Sequence, residues 1–328
     1  MTYSIWGNNT MEHERGIQYF PISLFASVMG FSGFTIVIKQ IEVVYARSHT
    51  LSFIFLVIAS FLFLLNISIL LYRLARYPEE VNNDFNHPVK INFFAAITIS
   101  LLLLAIPYYD ISESLSFALW GIGAVLQLSY TLVVLTKLMN QTSFQLDHFN
   151  PSWFIPIVGN MVVPIIGVNH VSSDILWMYY SIGVLFSIIY FTIFIYRVFF
   201  HPSISTKLLP TFFILLAPPS IGLLSYIKLG GQVDAFAYIL YGIAFFIGLL
   251  LIFQFKQFLK LPFFLSWWAF LFPTAAVTIA TILMYNETGH IYYKWIFNVQ
   301  TIGLVLLIFY LTWKTLQLSV MRSLCVKE

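Results

Sequence analysis

The sequence predicts an all-α integral membrane protein whose ten transmembrane helices form five hairpins. Three observations lead there. Sixty per cent of the 328 residues are apolar and only 9% are charged. The apolar residues gather into long runs, and prolines mark alternate runs. A soluble domain carries roughly 25% charged residues, so this chain could not cover its surface against water. A helix crosses a bilayer with about 20 apolar residues, and ten crossings leave only short loops. These facts exclude a soluble enzyme, a disulfide-built secreted scaffold and a nucleic-acid-binding protein. The one cysteine, Cys325, allows no internal disulfide.

The runs lie near residues 20–38, 50–72, 88–107, 115–137, 152–169, 175–198, 208–227, 234–255, 262–285 and 291–313. A β-barrel would need alternating segments of about ten residues, and Leu51 to Leu65 does not alternate. Residues 1–19 read as an N-terminal segment, 20–315 as one ten-helix pore domain and 316–328 as a C-terminal tail. The first residues carry Glu12, His13, Glu14 and Arg15 without a basic start and apolar core, so no cleaved signal peptide is expected.

Orientation follows from Lys and Arg. The N-terminus, even-numbered loops and C-terminus hold Arg15, Arg73, Arg76, Lys90, Lys137, Arg197, Lys207, Lys256, Lys260, Lys314, Arg322 and Lys327, which makes twelve. The odd-numbered loops hold four: Lys39, Arg47, Lys228 and Lys294. Both termini are therefore expected in the cytoplasm of a cell bounded by this membrane.

No proline falls inside an even-numbered span. Pro21, Pro88, Pro151, Pro210 and Pro262 stand at the starts of the odd spans, 67, 63, 59 and 52 residues apart, which reads as a fivefold hairpin repeat. Pro156, Pro164, Pro218, Pro219 and Pro273 sit deeper. An interior proline removes a backbone hydrogen bond and bends the helix, and in lipid the freed carbonyl needs protein or water. Bent odd helices are thus expected in an inner ring around an axial path, with straight even helices outside. Pro164, Pro218, Pro219 and Pro273 are the expected pore-shaping kinks.

Mid-span positions hold no Asp, Glu, Lys, Arg or His, which argues against a buried proton relay. The odd spans offer Ser23, Ala26, Ser27, Asn92, Asn160, Ser220, Thr274 and Thr278 as small or neutral polar lining. Taken singly, each polar one fits a hydrogen bond between helices better than a pore lining. As a set they suit weak, dipolar solvation of a passing ion. Lys90 beside a helix start, and five helix N-termini facing the basic side, lean towards anions. The seven histidines map to loops or span ends without an HExxH pair, so neither an enzyme nor a metal or cofactor site is expected.

Four motifs go further. Span 1 reads Phe20-Pro21-Ile22, span 3 opens His87-Pro88-Val89-Lys90-Ile91-Asn92-Phe93-Phe94, and span 5 contains Ile157-Val158-Gly159-Asn160. Span 9 reads Ser266-Trp267-Trp268-Ala269-Phe270-Leu271-Phe272-Pro273. Over its whole length the chain resembles the tellurite-resistance/dicarboxylate transporter family, which includes TehA, the slow-type anion channels of plant guard cells and the yeast malate permease. The resemblance implies a central pore in each subunit of a homotrimer, passing small inorganic or carboxylate anions. It also implies that the phenylalanine before the span 9 proline, here Phe272, blocks the pore midway. One departure is that Ser23 and Ala26 stand where glycines are common in the family. The alternative function is a coupled exporter or permease for tellurite, sulfite or malate.

Overall fold

The computed structural model describes residues 15–140, 145–321 and 323–326. Most of the expected N-terminal segment, residues 141–144 between the fourth and fifth apolar runs, and Arg322 and Lys327 of the basic rim lie outside the described residues. Among the described residues every regular element is helical. An isolated bridge joins Arg15 to Val326, and the Gly16 amide donates to the Cys325 carbonyl at 3.1 Å. The first and last described stretches therefore meet.

Ten apolar helical segments follow in chain order, 3-10 turns included where an α-helix continues from them. They are α1 (Ile22–Val44), α2 (Thr50–Arg76), α3 (Lys90–Tyr108), α4 (Glu113–Asn140), α5 (Pro151–Gly167), α6 (Ser173–Phe200), α7 (Thr206–Lys228), α8 (Ala235–Phe253), α9 (Leu265–Thr288) and α10 (Ile291–Val320). Nine are long and apolar enough to cross a membrane, and α5 is shorter. The apolar runs thus form helices where the sequence placed them. Several ends extend further, because polar residues find partners there. Lys39 prolongs α1 and pairs with Asp110 at 2.5 Å. The buried Glu42 carboxylate accepts from the Leu51 and Ser52 amides at 3.1 Å, satisfying N–H groups at the start of α2.

Consecutive segments pack as α1 on α2, α3 on α4, α5 on α6, α7 on α8 and α9 on α10. Odd segments also pack on one another: α1 on α3, α3 on α5, α5 on α7, α7 on α9 and α9 on α1. Burial follows the same alternation. The best apolar windows of α1, α3, α7 and α9 are 78–89% buried, and those of the even segments only 22–33%. Nearly all of α5 is buried as well. Even segments present Phe61, Ile188, Phe246 and Phe309 outwards, a surface suited to lipid.

One element was not anticipated. Between α2 and α3, residues Pro78–Asn86 form a short helix. Pro78 stands at its start, Glu79 and Glu80 complement its N-terminal dipole, and Val81 and Phe85 share one face.

Candidate functional site

The odd segments share an unusual local design. A 3-10 stretch precedes the α-helix at Ile22–Leu24, Pro151–Phe154, Thr206–Leu216 and Leu265–Phe270. In α3 a single turn, Lys90–Phe93, is interrupted at Phe94 before the helix resumes at Ala95. This changes the physical account of the prolines. Pro156, Pro218, Pro219 and Pro273 stand in the first turn of the α-helical part, where their missing N–H groups remove no helical bond. Pro164 and Pro107 lie deeper within α-helix. Beside Pro164, the Val163 carbonyl accepts from Trp120 Nε1 at 2.9 Å.

Where the five odd segments meet lies a small, partly open cavity of about 30 Å³, room for about one water. Each odd segment contributes to its wall. Ala26 and Met29 come from α1, Phe93 and Ile99 from α3, and Ile155 and Val158 from α5. Ile214 and Ala217 come from α7, and Trp268, Ala269, Phe272 and Pro273 from α9. The wall is almost wholly apolar. Of the residues singled out from sequence, Ala26, Phe272 and Pro273 are brought together here.

Phe272 is 6% exposed and packs at a site where α1 carries no side chain. A Cβ on Gly33 would meet Phe272 Cδ2, and one on Gly30 would overlap Leu271 Cδ2 at 2.6 Å. The glycines admitting α9 are therefore Gly30 and Gly33, each about two turns beyond Ser23 and Ala26 respectively. Phe270 occupies different surroundings, stacked on Phe213 at 3.9 Å and Trp267 at 5.0 Å between ring centroids.

The polar candidates lie elsewhere. Ser27 Oγ donates to the Leu24 carbonyl and Thr274 Oγ1 to the Phe270 carbonyl, both at 2.7 Å. Asn92 Nδ2 donates to the Pro88 carbonyl at 3.1 Å and Ser152 Oγ at 3.3 Å. Asn160 Nδ2 donates to Thr131 Oγ1 at 2.8 Å, and Ser23 is half-buried. Ser220 Oγ is buried without a hydrogen-bond partner among the described residues. Several of these groups serve carbonyls near the junctions between 3-10 and α-helix, where the ladder changes register.

Sequence reasoning missed the other apolar wall residues and Gln127. Phe93 and Trp268 were present in the quoted motifs, but an apolar side chain in an apolar helix carries no further signal. Gln127, on an even segment, donates through Nε2 to the Pro156 carbonyl at 2.6 Å and accepts from Thr98 at 2.5 Å. Gly159 leaves the space that Gln127 fills.

At the α3 start, Lys90 Nζ meets Asp84 Oδ1 at 2.9 Å. The other Asp84 oxygen accepts from Arg73 at 2.8 Å, and the Arg73 guanidinium, 1% exposed, also donates to the Gln18 and Phe20 carbonyls. Two cations share one carboxylate, which leaves a net positive charge. At the other end of the molecule, burial lowers the pKa of His170, opposed by the charge of Glu113. Among the described residues no three His, Cys, Asp or Glu side chains converge as a metal set.

The profile of the SLAC1 family, described as voltage-dependent anion channel, matches residues 19–316, nearly the whole chain and all ten segments. The chain belongs to this family. An S-type anion channel of Arabidopsis thaliana, SLAH2, is 28% identical over 82% of this chain and 53% of its own length. The TehA homolog of Haemophilus influenzae, a tellurite resistance protein, is 25% identical over 88% of this chain and 89% of its own. An uncharacterized transporter of Methanocaldococcus jannaschii, MJ0762, is 28% identical over 83% and 87%. With its apolar helices, this SLAC1-family chain is a multi-pass membrane protein of an anion-transporting family.

Proposed function

We propose that this protein passes small inorganic or carboxylate anions through a pore on the axis of the odd segments, and that Phe272 closes it. One observation carries the reading: five odd segments contribute to one apolar cavity, and Phe272 stands in its wall. A benzyl ring across a path this narrow blocks an ion sterically and keeps it dry. In this reading the odd helices form the inner ring and the even helices the outer, within a pore domain of residues 20–315. Pro164, Pro218, Pro219 and Pro273 shape the path, Pro164 as a kink and the others at helix starts. Lys90, with the net positive charge it shares with Arg73, collects anions at the cytoplasmic mouth. Both termini lie in the cytoplasm, the protein resides in the plasma membrane, and three copies assemble with one pore each.

The experiment is flux into proteoliposomes. Chloride, nitrate, sulfite and malate are measured side by side, with and without a proton gradient. The reading expects anion uptake that needs no proton gradient and rises when Phe272 is truncated. Uptake strictly dependent on a gradient would instead make the protein a coupled exporter or permease. No anion flux from folded protein would end the pore reading.

A further inference from the structure

A groove of about 550 Å³ lies on the outer surface between α2 and α4. That volume is within the range of about 300–1,000 Å³ typical of ligand clefts. Leu70 of α2 forms one side, Leu126 and Val133 of α4 the other, and Phe94 of α3 the back. Val81 and Phe85 of the short helix Pro78–Asn86 close one end. The opposite end opens along the helices towards mid-membrane. Leu126 to Val133 covers about 10 Å of helix, which fits within one leaflet of a hydrocarbon core about 30 Å thick.

The closed end carries a cation. Lys137 follows Val133 by four residues, so it stands one turn beyond the groove on the same face of α4. Its ammonium lies 4.0 Å from the centroid of the Phe85 ring and donates to Asn86 Oδ1 at 2.9 Å. It pairs with no carboxylate among the described residues, unlike Lys90, which follows Asn86 by four residues and pairs with Asp84. Glu79 and Glu80 project from other faces of the short helix, because positions 78, 81, 82 and 85 take the groove side. An apolar trough open to lipid, ending at an uncompensated ammonium, has the shape and charge of an acyl chain ending in a phosphate.

We propose that this groove binds an anionic phospholipid of the surrounding bilayer, one acyl chain against Phe94 and Leu126 and the phosphate on Lys137. The proposal rests on the membrane location and not on the pore reading. The occupant also touches Tyr130, whose hydroxyl donates to the Ile91 carbonyl at the break in α3. A bound lipid therefore leans on the turn that carries Lys90.

Native mass spectrometry of the full chain in detergent tests this, with phosphatidylglycerol or phosphatidylcholine of identical acyl chains added in steps. The expected result is one saturable lipid per chain, with phosphatidylglycerol favoured about fivefold, the preference one lysine gives at an anionic surface. Lys137→Gln should abolish that preference, weakening phosphatidylglycerol more than phosphatidylcholine. Ser129→Trp, at an exposed groove position, should remove both lipids, and Ile188→Trp on the outer face of α6 should remove neither. Equal retention by wild type and Ser129→Trp would overturn the proposal. So would loss on Ile188→Trp, which would indicate an unspecific lipid belt. A drop in oligomer size on Ser129→Trp would also overturn it, by assigning the groove to a second copy of the chain.

Discussion

Cδ2 of Phe272 lies 3.4 Å from the point that a Cβ on Gly33 would occupy, and Cβ of Ala275 lies 3.1 Å from it. At Gly30 the contact is closer, 2.6 Å to Leu271 Cδ2. Gly30→Ala should therefore destabilise. Overpacking costs about 1–3 kcal/mol, while replacing a helical glycine with alanine returns about 1 kcal/mol. Gly33→Ala should change the melting temperature less and lower anion flux, because the added methyl presses the Phe272 ring into the cavity. Thermal melts and liposome flux of the two variants check both statements. Unchanged flux in Gly33→Ala would separate this contact from gating.

Phe272→Ala should raise anion conductance several-fold with little change in selectivity order, since it opens space and adds no charge. Phe270→Ala should not. Phe270 is stacked on Phe213 and Trp267 and meets Phe258 edge-on, so its truncation leaves a core cavity costing about 3–5 kcal/mol. Planar-bilayer recording of both variants, beside their melting curves, distinguishes the roles. Equal currents from folded wild type and Phe272→Ala would reject Phe272 as the closure.

How much of this was legible in the sequence depended on the kind of interaction. The ten segments were readable because bilayer crossing is set by summed hydrophobicity, and their proline marks were visible one by one. Phe272 and Pro273 were readable only as part of a motif, since a phenylalanine among 34 is anonymous on composition. The short helix Pro78–Asn86 was missed because nine residues hold too few apolar positions to show a period. The polar candidates carry an ambiguous signal for a definite reason. A hydroxyl on an apolar helix signals a need for polarity, and here Ser27 and Thr274 meet the need of their own backbone.

His170 gives a pH dependence with a definite sign. Ser116 Oγ spends its one proton on the Ala105 carbonyl at 2.8 Å, so His170 Nε2–H is the donor in the 3.0 Å contact between them. Tyr109, Phe117 and Trp120 surround the ring at 5.5–5.6 Å. Burial lowers the folded-state pKa, so the unfolded chain takes up this proton more readily than the folded one. The contribution is complete above the ordinary value of about 6.5 and is lost as pH falls through the lowered value. The melting temperature of wild type should drop more between neutral and acidic pH than that of His170→Gln. Parallel curves would show that the imidazole titrates without strain.

Topology is open to chemical labelling. With Cys325 replaced by serine, single cysteines at 201–206 should react only from the cytoplasm. Those at 110–113 or 287–290 should react only from outside. Reaction of both sets from one side would dismantle the hairpin order.

The 3-10 starts of the odd segments also set a length. Such a coil rises about 2.0 Å per residue against 1.5 Å for the α-helix. Thr206–Lys228, with 23 residues, thereby reaches about 40 Å, the same as 27-residue Thr50–Arg76. Pro151–Gly167 extends its 17 residues to about 28 Å, close to the hydrocarbon thickness of about 30 Å. Stretching the coil lets the most crowded helices cross the same slab with fewer side chains to seat. Were residues 206–216 rewound as α-helix, α7 would shorten by about 5 Å, and one of its ends would be drawn into the bilayer.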